Sequence, residues 1–275
     1  DVYKRQLSAD VDGWEAAADA IRTTDTFAKR ASARFKAGRR LVGVSGVAKG
    51  SGMVEPNMAT MLAFLVTDAA VEPRYLKGVL RRVTDETFNR VTVDGETSTS
   101  DSVLLFASGA AGHAPIRSSR SPGAARFEEG VHAVAESLAK DLARDGEGAT
   151  KLVTVEVVRA HSAADAERGA RRIANSLLVK TALFGGDPNW GRILQTVGAA
   201  EVRVNLERAE VRLGGVAVFR RGASAGPRAR ARAGRKLAEP EIEIRVDLGA
   251  GRGSASLWTC DLSYDYVKIN AEYTT

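Results

Sequence analysis

A glycine-rich loop that follows a lysine is the most unusual chemical feature of this 275-residue sequence. Lys49 precedes Gly50, Ser51 and Gly52, and the loop leads into an apolar segment that begins at Met61. Backbone amides of such a loop can surround a phosphate group, and a lysine can neutralise its charge. The order Gly-x-x-x-x-Gly-Lys-Ser/Thr of phosphate-binding loops is missing, so this interpretation is weak. A tight turn before a buried strand remains the simpler alternative.

Cysteine and histidine give no sign of a metal centre. Cys260 is the single cysteine of the sequence, which excludes an internal disulfide and a cysteine metal cluster within it. His113, His132 and His161 are far apart, and no pair has the spacing of metal ligands on one helix. We therefore predict no metal ion and no other resident cofactor.

The positive charge is confined to one segment. The whole sequence carries +6, and residues 211–238 contain eight basic residues and no acidic one, so the remainder carries −2. Residues 220–236 consist mainly of Arg, Ala and Gly, and we predict a solvated, poorly packed basic loop there. Nucleic-acid binding by this segment is a weak alternative, because it has no aromatic side chain on which bases could stack.

Composition places the protein among ordinary globular chains, with 44% hydrophobic and 27% charged residues. The longest clean apolar run, residues 61–66, is far shorter than the ~18 residues that a membrane span needs. The first residues do not resemble a basic and then apolar leader peptide. We expect a cytoplasmic protein with no membrane partner.

Helical and strand periodicities alternate along the chain, which predicts a mixed α/β or α+β fold. Apolar stripes predict helices over residues 14–21, 76–83, 127–142 and 166–177, and a capping box at Ser162–Asp165 opens the last of them. Alternation predicts strands over residues 151–158, 201–206 and 241–248. Residues 108–125 and 185–191 are interpreted as loops, and Asp187–Arg192 as a structural turn with Trp190 packed under it.

Five stretches occur in the order found in one known family. They are Thr23–Thr26 with Lys29, Lys49–Leu62, Val93–Thr99, Lys180–Arg192 and Trp258–Thr275. Each resembles an element of the ornithine acetyltransferase family, the glutamate N-acetyltransferases of arginine biosynthesis. The matches extend from about residue 13 to residue 275, which is far more specific than a single short motif. The family usually has Asn-Asp-Thr where this chain has Ser100-Asp101-Ser102.

The resemblance implies a fold and a division into domains. The fold would be an α+β, layered α-β-β-α sandwich of the self-processing threonine-nucleophile type, with a smaller C-terminal α/β domain. We expect a core domain over residues 1–148, the smaller domain over 149–240 and a C-terminal segment, 241–275, that returns to the site. The family's oxyanion hole is a Thr-Gly pair upstream of Thr23–Thr26. The sequence is therefore expected to lack an N-terminal part and to be weakly active or inactive by itself.

The resemblance also implies self-cleavage between Ala59 and Thr60. The new α-amino group of Thr60 would titrate near about 8, which suits a general base for the adjacent hydroxyl. Thr60 would then take the acetyl group of N2-acetyl-L-ornithine and pass it to L-glutamate, with acetyl-CoA as a second candidate donor. Cleaved α and β chains are expected to assemble into a heterotetramer.

Asp145–Lys151 is a further match to the family. The matching motifs imply these further substrate-binding positions: Thr26, Lys49, Glu147, Asn270 and Thr275. Pairing of the Glu147 carboxylate with the ornithine ammonium group is our own hypothesis. Each of these residues also has a structural interpretation, such as a surface threonine, a turn lysine or a charge beyond a helix end. The main alternative function is an N-terminal-nucleophile amidohydrolase or aminopeptidase of related fold, which would use Thr60 but pass the acyl group to water.

Overall fold

The computed structural model describes residues 11–55, 61–97 and 100–272. Its elements in chain order are α1 (Val11–Ala20), β1 (Lys29–Ala37), β2 (Arg40–Lys49), β3 (Leu62–Thr67), α2 (Pro73–Glu86), a 3-10 turn (Phe88–Arg90), β4 (Ser102–Ala107), α3 (Ala124–Arg144), β5 (Leu152–Ala160), α4 (Ala163–Ala174), α5 (Leu177–Phe184), α6 (Trp190–Gly198), β6 (Glu210–Leu213), β7 (Val216–Arg220), β8 (Ala223–Ser224), α7 (Pro227–Lys236), β9 (Glu241–Asp247), β10 (Gly253–Cys260) and α8 (Tyr264–Glu272).

The first sheet has the strand order β1-β2-β3-β4. β1, β2 and β3 are antiparallel neighbours, whereas β4 runs parallel to β3, with Leu62 opposite Ser102. The long helix α3 lies on this sheet and buries Phe127 and Leu138. Gly46 permits the close approach, because a Cβ there would lie 2.8 Å from the Leu138 side chain. The sheet thus fixes the ends of β2 and β3, which border the predicted cleavage segment.

The second sheet has the strand order β10-β5-β9-β6-β7-β8. β5 and β9 are parallel, and the other neighbouring strands are antiparallel. Helix α4 packs on β5 and β10, with α6 beside it. The core of this region is aliphatic and includes Val155, Ile173, Ile193 and Ile244, all buried.

Buried polar contacts join the two regions. Lys180, which is 2% exposed, donates from Nζ to the carbonyl oxygen of Val93 at 2.5 Å and to the Thr259 hydroxyl at 3.1 Å. An isolated β-bridge also joins Val91 to Trp258, which are sequence neighbours of Val93 and Thr259. An ammonium group buried this deeply needs such partners. The second region is thereby attached to the Val93–Thr97 loop of the first.

The mixed α+β class predicted from the sequence is confirmed, and so are the helices α1 to α4 and the strands β5 and β9. Helix α4 begins as its capping pattern predicts, since the Ser162 hydroxyl accepts from the backbone N–H of Asp165 at 3.1 Å. The division into domains stays a prediction.

The predicted strand over 201–206 is wrong. The segment turns instead, because Glu201 has a positive φ of 55° and the backbone N–H of Ala209 donates to the carbonyl oxygen of Asn205 at 2.7 Å. Apolar alternation over six residues does not fix a strand when a turn interrupts its backbone.

The predicted basic loop over 220–236 is also wrong, because this segment forms β8 and α7. Alanine and arginine are strong helix formers, Pro227 occupies the first turn, and two cations lie in the last turn. Ala233 and Leu237 are fully buried in the core of the second region. The prediction from composition gave too much weight to the like charges and did not foresee the burial of Ala233 and Leu237.

In the part of the chain that the structure describes, no helix is both long and apolar enough to cross a membrane. Among the same residues, no group of three or more His, Cys, Asp or Glu side chains is arranged to hold a metal ion.

Candidate functional site

The chain that leaves β2 toward the predicted cleavage point is held in place by distant segments. The backbone N–H of Gly50 donates to the Asp25 carboxylate at 2.7 Å. The hydroxyl oxygens of Ser51 and Thr24 are 2.6 Å apart. The carbonyl oxygen of Ser51 accepts from the backbone N–H of Glu147 at 2.8 Å. Elements that resemble family motifs therefore converge on residues 50–52.

Asp94 holds the next part of the same segment. Its carboxylate accepts from the backbone N–H groups of Met53 at 2.7 Å and Val54 at 3.1 Å. Glu55 then accepts from Arg171 at 2.9 Å and from Asn175 at 2.8 Å, both on the second region. Every residue from Gly50 to Glu55 except Gly52 thus has a polar partner elsewhere in the fold.

A buried ion cluster lies behind this segment. The Lys29 side chain is fully buried, and Nζ donates to Asp25 and to Asp145 at 2.5 Å each. Burial by itself would raise the pKa of Asp25, but hydrogen bonds from Lys29 and Gly50 outweigh it and hold the pKa below its ordinary value. The cluster joins the segment before β1 to the end of α3, 116 residues later.

The predicted substrate residue Thr26 belongs to the same cluster. Its hydroxyl and its backbone N–H both donate to the Asp145 carboxylate. Thr26 lines a cavity of about 400 Å³ whose wall also includes Gly146 and Gly148 on either side of Glu147, and Lys268 on α8. The structural and the binding interpretation of Thr26 are therefore compatible.

Glu147 and Asn270 meet, although 123 residues separate them. The amide Nδ2 of Asn270 donates to Glu147 Oε2 at 2.9 Å. The Glu147 carboxylate lies over Gly52, where a Cβ would collide with it. Gly148, with a φ of 68°, makes the turn that follows, and a Cβ there would collide with the backbone of Tyr266. Glycine is thus required at Gly148, whereas a side chain at Gly52 would displace the Glu147 carboxylate.

Lys49 is the last residue of β2 and pairs in register with Leu62. It is 7% exposed. Within the described residues its ammonium group has neither a hydrogen bond nor an ion pair, in contrast to Lys29 and Lys180. The ammonium group of such a lysine can bind an anion such as a carboxylate.

Sequence reasoning missed Asp101 as a site residue. Its Oδ1 accepts from the backbone N–H of Met61 at 2.6 Å, at the start of the segment that follows the predicted cleavage point. Burial raises the pKa of Asp101 to about 6, and the hydrogen bond from Met61 offsets only part of that rise. The signal available in the sequence was its position just before β4, a strand whose pairing with β3 could not be predicted locally.

Three predicted site residues, Ala59, Thr60 and Thr275, lie outside the described residues. Of the others, Glu147 and Asn270 are in direct contact, Thr26 lies in the ion cluster, and Lys49 lies at the end of β2. The assignment of roles to these residues stays a prediction.

The fold and the clustered segments define an α+β protein with solved structural relatives. A crystal structure of arginine biosynthesis bifunctional protein argJ from Bacillus halodurans matches with a TM-score of 0.72 and 42% identity, covering 76% of this chain and 98% of that one. The model of the ArgJ family matches residues 2–275. The chain belongs to the ArgJ family.

Curated relatives agree with this assignment. Arginine biosynthesis bifunctional protein ArgJ from Geobacter sulfurreducens is 51% identical over 258 residues, 94% of this chain. The protein of the same name from Thermus thermophilus is 51% identical over 261 residues, 95% of this chain. The chain spans about 65% of the length of each of these two relatives.

Proposed function

We propose that this chain contains the threonine nucleophile of an enzyme that moves an acetyl group from N2-acetyl-L-ornithine to L-glutamate in arginine biosynthesis. Family membership supports the proposal, because the curated relatives are named as bifunctional proteins of arginine biosynthesis. The observation that carries it is the contact of Glu147 with Asn270 over Gly52, which brings two distant family motifs onto the segment that leads to Thr60.

The chemistry proposed at Thr60 has two transfers. Its hydroxyl oxygen bonds to the acetyl carbon, the C–N bond to ornithine breaks, and the hydroxyl proton passes through the α-amino group to the leaving amine. The amine of glutamate then attacks the acetyl-threonine ester. The bond between the acetyl carbon and the threonine oxygen breaks, and one proton of the attacking amine returns to that oxygen.

The described residues supply complementary charges for such substrates. The ammonium group of Lys49 suits a substrate carboxylate, and the Glu147 carboxylate suits the ammonium group of ornithine. Asn270 already donates to Glu147, which keeps that carboxylate in one orientation. Amino-acid substrates carry both of these charges.

Self-cleavage and transfer test the proposal together. A chain preceded by the N-terminal segment of the Geobacter sulfurreducens relative should separate into two pieces that meet at Thr60, measured by mass, and the 275-residue chain alone should be cut slowly or not at all. Thr60→Ala should stay whole, and Thr60→Ser, which keeps a hydroxyl, should still be cut. Equal cutting of wild type and Thr60→Ala would refute the proposal.

Transfer is followed with N-acetylornithine labelled in the acetyl group. Labelled N-acetylglutamate supports the transferase, whereas labelled acetate alone supports the amidohydrolase. The assay uses the 275-residue chain and a fusion preceded by the N-terminal segment of the Geobacter sulfurreducens relative. Loss of an oxyanion donor costs roughly 10²–10³-fold in rate, so we expect the fusion to be much faster. Equal rates would show that the oxyanion is held by residues 1–275.

The remaining expectations belong to the same proposal. Cleaved α and β chains form a heterotetramer, which native mass measurement tests. Acetyl-CoA is a second candidate donor, testable in the same labelled assay, and no resident cofactor is required by this chemistry. The cytoplasmic location stays a prediction.

A further inference from the structure

Asp101 connects two parallel strands where both of them begin. The Met61 backbone is held at both of its polar groups: its N–H donates to Asp101 Oδ1 at 2.6 Å, and its carbonyl oxygen accepts from the backbone N–H of Ser102 at 3.0 Å. The Met61 side chain is 1% exposed. The backbone of Met61 is therefore held in place, and Asp101 supplies the one side-chain contact described above that holds it.

The buried, ionised carboxylate of Asp101 by itself lowers the free energy of unfolding. Its second oxygen, Oδ2, is buried and has no hydrogen-bond partner within the described residues. No lysine or arginine forms an ion pair with Asp101 in that part of the chain, and burial raises its pKa to about 6. Groups that cost stability in this way concentrate at functional sites. The unpartnered oxygen remains available to a further proton donor.

We propose that Asp101 is a positioning residue for the reaction at Thr60, which holds the Met61 backbone and thereby the start of the threonine segment. The inference rests on the proposed function and adds a residue to it. Thr60 is bonded directly to the nitrogen that Asp101 fixes, so a shift of that nitrogen displaces the reacting residue. A displacement of about 1 Å can cost on the order of 10²-fold in rate.

Two substitutions separate the parts of this role. Asp101→Ala removes the acceptor, and we expect self-cleavage to slow by on the order of 10²-fold. Asp101→Asn keeps an acceptor oxygen but loses the charge-assisted strength of the bond, so the slowing should be about tenfold. Because burial disfavours the carboxylate, Asp101→Asn should leave Tm near pH 8 unchanged or raised. A merely structural role would instead lower Tm together with the rate.

Asp68 provides a matched control at the opposite end of β3. Its Oδ1 accepts from the backbone N–H of Gly43 at 2.8 Å, in the same sheet and by the same kind of bond. Asp68→Ala should leave the cleavage rate within about twofold of wild type, even if it lowers Tm. A similar slowing in both variants would overturn the proposal.

Hydrogen–deuterium exchange at the Met61 amide gives a readout that does not need catalysis. Exchange should accelerate in Asp101→Ala and not in Asp68→Ala. An N-terminally extended chain that stays whole, or is cut equally after Thr60→Ala, contradicts the proposed function. The Met61 exchange rate then decides the role of Asp101 by itself. An unchanged rate in Asp101→Ala overturns that role, and a faster one supports it.

Discussion

The site end of the first sheet and the interior of the second sheet are stabilised by different means. Behind the site, Lys29 is buried between Asp25 and Asp145. The second region has an aliphatic core, and ion pairs such as Arg159 with Asp247 lie at its surface. Apolar packing depends on shape and volume, whereas buried charges require specific partners. The comparison indicates that the second region is stabilised by apolar packing and that the site end of the first depends on charges held by specific partners.

The largest expected effect comes from the buried cluster. Lys29→Met leaves two buried carboxylates without their cation, and it should lower the free energy of unfolding by about 3–5 kcal/mol. Urea unfolding measures this change. Arg159→Ala breaks an exposed pair and should leave the free energy of unfolding nearly unchanged. Equal losses for the two variants would remove the distinction between the regions.

Helix α7 tests the apolar side of the comparison. Leu237→Ala, at a fully buried position after this helix, should lower the free energy of unfolding by about 2–5 kcal/mol. The self-cleavage rate of the folded fraction should not change, because Leu237 lies in the second core. A loss below about 0.5 kcal/mol would show that α7 is poorly packed after all.

Acid should affect the first region before the second. The pKa of Asp25 is held below its ordinary value of 3.8, so the stability it contributes is present above pH 3.8 and is lost as pH falls through the lowered pKa. Exchange of the backbone amide of Gly50, which donates to Asp25, should therefore accelerate in that range. Amides in β9 should be protected to lower pH. Loss of protection at Gly50 and in β9 at the same pH would contradict the expectation that the first region is affected first.

A smaller effect is expected at the Glu147–Asn270 contact. Asn270→Ala removes one hydrogen bond to a carboxylate at an exposed position, and KM for N-acetylornithine should rise about three- to tenfold. Asn89 donates to Asp85 at 2.9 Å in a similar exposed pair away from the site, so Asn89→Ala is the matched control. An unchanged KM in Asn270→Ala would argue against a binding role.

The smallest effect is expected on the outer surface of α7. Arg228→Gln removes an exposed charge and should change the free energy of unfolding by no more than about 0.5 kcal/mol. Thermal unfolding at two salt concentrations measures it. A larger effect would reveal an interaction of this helix that the apolar contacts do not explain.

Local patterns predicted the elements whose causes are local. The apolar stripe of α3 and the Ser162 cap of α4 depend on residues within a few positions, and both are present. Helix α7 shows the limit: its alanines and arginines favour a helix, but the partners of Ala233 and Leu237 come from distant strands.

The candidate site was predictable only in part. Resemblance indicated Glu147 and Asn270, and their contact supports treating them as one unit. Asp101 and the partners of Lys29 were not predictable, because they depend on which strand and helix ends meet in three dimensions. Such contacts leave no periodic signal in the sequence.

The sequence separation of 116 residues between Lys29 and Asp145 also determines how long the ribosome takes to supply both partners. At about 5–20 residues per second, Lys29 and Asp25 emerge roughly 6–23 s before the second carboxylate of their cluster. Asn270 follows Glu147 after a further interval of similar length. The segment that leads to Thr60 cannot acquire all of its supports until α8 has been translated. Self-cleavage that depends on those supports is thereby delayed until the ribosome has nearly completed this part of the chain.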